Sequence, residues 1–221
     1  MLAELKEALE DIANDDTVDV VVLTGSGRAF SAGADIKEMN NVNQDRPTGR
    51  GRLHFEVNEA IENLDKPVIA AINGYCLTGA LETVTACDII VAAENAVFGD
   101  THARWGLTPG GGMTQRLPRR IGAYKAKEMI FTCETITARE AQQIGLVNKV
   151  VATEKLDEAV HELACKILAN SQASIRIQKS LINRGLKLDY ASGLELEQAE
   201  SPVQTTDTES RLRSFANRDK H

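Results

Sequence analysis

Tryptophan occurs once in this chain, at position 105, and the four cysteines show no paired metal-ligand spacing. No metal site is expected from them. Cys76 and Cys87 fall in an apolar stretch where thiols pack as small hydrophobes, and with Cys133 and Cys165 they suit a reducing compartment. No apolar run reaches membrane-spanning length, so no membrane partner is expected. Long basic runs are missing too, and a net charge of −7 argues against general nucleic-acid binding. The segment from Met1 to Leu9 patterns as an acidic amphipathic helix, unlike a signal or transit peptide. A cytoplasmic location is the expectation. Internal repeats and low-complexity segments are also lacking.

What is present suits a globular protein: 221 residues, 43% hydrophobic and 26% charged, enough to bury a sizeable core. One domain with an appendage fits better than two equal domains. The chain is organised around Pro67 to Ala92. Val68 to Ile72 is a short apolar run between Pro67 and Asn73-Gly74, which predicts a strand buried on both faces. Thr78-Gly79 then opens a short, nearly all-apolar helix carrying Ala80, Leu81, Val84 and Ala86; Asp88 ends it ahead of a strand over Ile89 to Ala92. A helix apolar on all sides must be buried, so Glu82 in its first turn carries a carboxylate inward. The free N–H groups at the helix start favour negative charge, and Gly79 lets a ligand oxygen approach its own N–H. Glu82 is then either a simple helix-start residue or a working carboxylate. Burial favours work, because an unpaired carboxylate in an apolar helix is costly.

The rest of the chain alternates in the manner of an α/β protein. Leu2, Leu5, Leu9 and Ile12 recur at helical spacing as far as Asn14-Asp15-Asp16, and Val18 to Leu23 reads as a buried strand. A glycine-rich loop follows from Thr24 to Asp35. It lacks the third glycine of a dinucleotide fingerprint, where Phe30 stands, and no Gly-Lys-Ser/Thr makes it a P-loop. Asn40 to Arg52 predicts a mobile surface loop and His54 to Leu64 a helix, with His54 on the surface or capping. Ala96 to His102 starts as a strand, a second glycine-rich loop runs from Gly106 to Met113, and Thr114 to Leu117 reads as a turn. Ala123 to Phe131 predicts a helix, Thr137 and Glu140 open another at capping-box spacing, and Gly145 to Val151 turns into a strand. From Leu156 onward the pattern is helical. The division is an α/β core over residues 1–151 and a helical tail over 152–221. Arg28, Lys37, Lys66 and Arg116 are either candidates to meet an anionic ligand or solvated surface charges.

These loops together resemble one family. Gly27-Arg28-Ala29-Phe30-Ser31-Ala32-Gly33-Ala34-Asp35-Ile36-Lys37 closely resembles the first signature loop of the crotonase (enoyl-CoA hydratase/isomerase) superfamily. Asn73-Gly74-Tyr75 through Glu82 to Asp88 resembles its second, Pro109 to Leu117 its third, and Thr137 through Val147 its later helix and strand. The resemblance runs over most of the chain from Leu2. It implies an α/β fold: a crotonase-like ββα spiral core, then a C-terminal helical trimerisation region, assembled as a homotrimer or dimer of trimers. It also implies an acyl-CoA thioester substrate and an enolate held by two N–H groups, by motif match those of Ala34 and Gly79. No cofactor is implied beyond the CoA carried by the substrate. Ala32, Asp35, Ile36 and Lys37 would line the CoA, with Lys37 near phosphate, and Pro109 and Gly110 would bind substrate from the third loop. Three departures stand out. His102 occupies the place of the family's second catalytic glutamate, Ala80 that of a second glycine after Gly79, and the N-terminal strand pair is missing, so the chain is expected to begin late in the fold.

Hydration of a 2-enoyl thioester needs water activated at C3 and a proton at C2, with Glu82 as the base toward water. His102 is either the proton donor or water holder, or a structural histidine; if Asp100 to His102 is extended, the two side chains share a face and Asp100 would orient the ring. Trp105 either walls the acyl pocket or fills the core. An enoyl-CoA hydratase is the expected activity. Isomerisation, decarboxylation and thioester hydrolysis are the enzymatic alternatives, and a CoA-binding subunit without turnover is the other class. The incomplete glycine fingerprint disfavours a nicotinamide-binding dehydrogenase.

Overall fold

The computed structural model describes residues 1–33 and 49–218. The chain opens with helix α1 (Leu2–Ala13), which buries Leu9 and ends at Asn14. Its C-terminal carbonyls are met by Lys66, a fully buried cation whose Nζ donates to Ile12 O and, at 2.8 Å, to Asp15 O. Lys66 therefore serves the negative end of a helix and is neither a ligand contact nor a solvated charge.

Strands β1 (Val21–Thr24) and β2 (Ala29–Ser31) follow, so the first strand starts later than Val18. Helix α2 (Gly49–Asn63) begins inside the stretch read as a loop, and residues 49–52 are helical. Packing decides this: Val57 and Ile61 are fully buried, Arg52 pairs with Glu56 one turn on, and Lys6 of α1 reaches the same carboxylate. The remainder of the predicted loop, 40–48, lies outside the described residues.

From here strands come in pairs divided between two sheets. β3 (Val68–Ile72) and β4 (Tyr75–Leu77) precede α3 (Gly79–Ala86); β5 (Ile89–Ala93) and β6 (Val97–Gly99) precede α4 (Met113–Ile121) and α5 (Ala123–Thr132). β7 (Ile136–Thr137), α6 (Ala138–Gln143) and β8 (Lys149–Val151) complete the layers. One sheet runs β1-β3-β5-β8 and the other β2-β4-β6-β7, all parallel apart from β6 with β7. The pairs β1–β2, β3–β4 and β5–β6 thus each add one strand to each sheet before a helix carries the chain onward, the winding expected of the spiral core.

Alternation along β3 explains why its whole run is apolar. Val68, Ala70 and Ile72 enter the core shared with α3, whereas Ile69 and Ala71 face a second cluster with Val91, Ala93, Leu156, Ala159 and Val160. The last three belong to α7 (Leu156–Leu168), which covers the outer face of the first sheet. The tail continues as α8 (Gln172–Gly185), α9 (Tyr190–Glu200) and α10 (Thr208–Arg218). Lys179 of α8 ties it to the core, donating to Lys66 O at 2.9 Å and to Asp88 Oδ2 at 2.7 Å. Among the described residues no helix is long and apolar enough to cross a membrane.

Thr114 to Leu117 is not a turn but part of α4, which forms because Met113 and Leu117, one helical turn apart, are both buried. The Thr137–Glu140 capping box is present in full: Glu140 N donates to Thr137 Oγ1 at 3.3 Å and Thr137 N to Glu140 Oε2 at 2.8 Å.

Candidate active site

The site forms where β4 gives way to α3. Thr78 joins them in a conformation that a β-branched residue rarely adopts, φ 57° and ψ −113°, at a cost of about 1–3 kcal/mol. Its own contacts hold it there. Its N–H donates to Gly99 O at 2.8 Å, its Oγ1 is 2.6 Å from Thr101 Oγ1, and Thr101 N donates to Thr78 Oγ1 at 3.3 Å. The Thr78 side chain does not cap the helix. Gly79 N–H is therefore one of the helix-start donors without an intrahelical partner.

Seven of the eight residues of α3 are buried, Glu82 among them at 1% exposure. Its two oxygens have different surroundings. Oε1 accepts from Gly111 N at 2.7 Å and Met113 N at 3.2 Å. Oε2 faces two imidazoles, His54 Nδ1 at 3.4 Å and His102 Nε2 at 3.9 Å. The glycine-rich third loop is what permits the first pair of bonds. A Cβ on Gly111 would lie 2.7 Å from Asn58 Nδ2 and 3.0 Å from the Glu82 carboxyl carbon. The Gly111 carbonyl is fixed in turn by Asn58 Nδ2 at 2.8 Å and Arg116 Nη1 at 2.7 Å, and Arg116 is held by Glu62.

His102 is gripped by Asp100, Nδ1 to Oδ1 at 2.6 Å, with the His102 N–H donating to the same oxygen at 3.0 Å. Asp100 is fully buried. The segment is not extended: His102 has helical angles and starts the 3₁₀ turn Ala103–Trp105. An Asp side chain bonding the amide two residues on brings the pair together instead. Nδ1 is engaged by Asp100, so Nε2 is the nitrogen presented to Glu82.

His54 is the main correction. Its side chain is only 14% exposed, and it sits within α2 facing Glu82, neither on the surface nor at a helix cap. The ring lies against Gly79, where a Cβ would come within 3.0 Å of Cε1. Part of what the missing Gly79 side chain makes room for is therefore this imidazole. Burial, the largest influence, lowers the His54 pKa from the usual 6.5, with Glu82 opposing the shift.

Among the other expected residues, Gly33 abuts this junction: a Cβ there would meet Leu77 O at 3.4 Å and Thr78 Cβ at 3.6 Å. Ala32 is exposed beside it, while Ala34, Asp35, Ile36 and Lys37 lie outside the described residues. Trp105 is 55% exposed, which removes the core-filling role. Pro109 is half-buried, and Gly110 packs on α2, where its Cβ would stand 3.2 Å from Gly51 Cα. Asn58, Glu62 and His54 were missed because their contacts here are tertiary. The helical spacing of α2 was the one available signal.

A family profile described as enoyl-CoA hydratase/isomerase matches residues 1–221. A Clostridium acetobutylicum protein named short-chain-enoyl-CoA hydratase is 44% identical over 197 residues, 89% of this chain and 76% of its own length. A crotonyl-CoA hydratase of Syntrophomonas wolfei is 42% identical over the same shares. The crystal structure of an enoyl-CoA hydratase from Bacillus anthracis superposes with a TM-score of 0.94 at 40% identity, covering 98% of this chain and 85% of that one.

Proposed function

The chain belongs to the enoyl-CoA hydratase/isomerase family, and from that premise we propose that it hydrates short 2-enoyl-CoA thioesters with Glu82 as the base. The observation that carries this reading is the division of labour in the Glu82 carboxylate. Oε1 is anchored by the amides of Gly111 and Met113, which leaves Oε2 aimed at the imidazoles and able to take a proton.

The water oxygen adds to C3 while Glu82 Oε2 takes one of its protons. The π electrons move toward the thioester oxygen, forming an enolate. Gly79 N–H and, by motif match, Ala34 N–H receive that charge, each supplying roughly 3 kcal/mol. C2 then takes a proton from Nε2 of His102, while Nδ1 of the same ring stays bound to Asp100. Glu82 returns its proton to the imidazole, so the reaction adds one water and leaves both groups as they began. As written, this needs no cofactor beyond the CoA of the substrate. Ala32, Asp35, Ile36, Lys37, Pro109 and Gly110 are assigned to substrate binding on their motif positions, and Trp105, 55% exposed, as a wall of the acyl pocket.

A homotrimer or dimer of trimers is the assembly we infer, supported by family membership and by Ile182, Leu186, Leu212 and Phe215 exposed on the tail helices. Light scattering tests it. A cytoplasmic location is supported by four free thiols, which suit a reducing compartment.

Mass analysis of products from a panel of acyl-CoA thioesters tests the reaction. Hydration adds one water to a 2-enoyl-CoA with the thioester intact. Free CoA from hydrolysis, a shifted double bond, or loss of carbon dioxide would assign the site to another enolate reaction. Thioester binding with no product would leave a CoA-binding subunit.

A further inference from the structure

His54 takes no part in the steps above, yet its Nδ1 is the nearer nitrogen to Glu82 Oε2, at 3.4 Å against 3.9 Å for His102 Nε2. On its far side the ring is fixed by Thr83, whose Oγ1 is 3.0 Å from Nε2. Thr83 has one hydroxyl proton and two acceptors within reach, His54 Nε2 at 3.0 Å and Gly79 O at 3.3 Å. The choice between them sets the tautomer of the ring. If Thr83 donates to Gly79, Nε2 carries the ring proton and a bare Nδ1 lone pair faces a buried carboxylate oxygen. If Thr83 donates to Nε2, the ring proton sits on Nδ1, between imidazole and carboxylate. The second arrangement replaces a repulsion with an attraction in a site of low dielectric.

We propose that His54 is a positioning residue for Glu82: a neutral imidazole, protonated on Nδ1 by way of the Thr83 hydroxyl, that holds Oε2 in its working direction. This rests on the reading of Glu82 as the base. Burial supports it by keeping a second proton off the ring. The groups facing His54 divide: Glu82 and the Gly79 backbone of α3 favour that second proton, while His102 and Arg116 of α4 oppose it. A neutral ring can orient the carboxylate without protonating it.

The chain has four histidines, so ¹⁵N–¹H spectra of the whole protein can resolve each ring. At neutral pH the His54 signals, assigned by their loss in His54→Asn, should be those of a neutral ring protonated on Nδ1. Thr83→Val, which keeps the shape and removes the hydroxyl, should lose that preference. A ring protonated on Nε2, or on both nitrogens, overturns the proposal whether or not the protein turns over any thioester. A missing hydration activity with the Nδ1 form in place would instead fault the reading of Glu82. In kinetics, His54→Phe should lower kcat about tenfold with KM little changed. His54→Asn, whose amide can occupy the place of Nδ1–H, should keep the rate. A kcat unchanged in both variants would remove the positioning role.

Discussion

Nε2 of His102 stands 3.9 Å from Oε2 of Glu82, while Asp100 holds the opposite nitrogen of the same ring at 2.6 Å. The distance to Glu82 is beyond a direct hydrogen bond and within reach of a proton carried by one intervening atom. In the proposed mechanism the imidazole takes the part of a second carboxyl group.

The first prediction concerns that ring. His102→Ala should lower the hydration kcat by about 10²-fold or more, the usual worth of a positioned proton donor. His102→Glu should recover activity lost in the alanine variant. Steady-state rates on one short 2-enoyl-CoA decide it, and indifference to both changes would make His102 structural.

A second prediction follows from the lowered pKa of His54, which has burial as its main cause. The unfolded chain takes up this proton near 6.5 and the folded chain only at lower pH. Between those values the unfolded state binds more protons, so stability falls as pH drops through that window. His54→Asn removes this contribution. Its Tm should decline less than that of the unaltered protein between about pH 7 and pH 5. Identical slopes would contradict the burial of a neutral ring.

The Lys179–Asp88 pair carries a third. Lys179 is 9% exposed, and its Nζ serves both Asp88 Oδ2 and Lys66 O. Lys179→Met leaves both acceptors short of a donor. The cost should be about 2–3 kcal/mol, toward the lower end for a broken buried pair because Asp88 is partly exposed. Urea denaturation measures it, and an unchanged midpoint would mean the pair contributes nothing.

The cysteines give a fourth. Cys76, Cys87 and Cys133 are buried, and burial pushes the Cys87 thiol up to about 12, whereas Cys165 is exposed. A thiol reagent should therefore modify Cys165 alone in the folded protein and all four after unfolding. Rapid labelling of a second site under native conditions would contradict the packing described for these residues.

What the sequence made legible has a physical pattern. Glu82 and Gly79 could be found because a lone carboxylate in an all-apolar helix is conspicuous without any tertiary information. β3 could be found because a strand covered on both faces is apolar at every position. His54 could not, since its meaning depends on α2 crossing α3 at Gly79, a contact that spacing does not encode. Lys66 looked like a surface charge for the same reason: the carbonyls it serves lie some fifty residues earlier in the chain. The Asp100–His102 pair was read correctly as a pair through the wrong backbone, because two residues apart can meet either on one face of a strand or across an Asx turn. The ββα winding repeats in space with no sequence repeat to announce it. Each turn needs only its own buried strand and helix face, and those were visible one at a time.

The central claim is that Glu82, anchored through Oε1 by Gly111 and Met113, activates the water. The most direct measurement compares hydration of a short 2-enoyl-CoA by the unaltered protein and by Glu82→Gln, with thioester binding followed calorimetrically in both. In the variant the rate should fall by about 10³-fold or more with binding essentially retained. A Glu82→Gln variant that hydrates at the unaltered rate would contradict it.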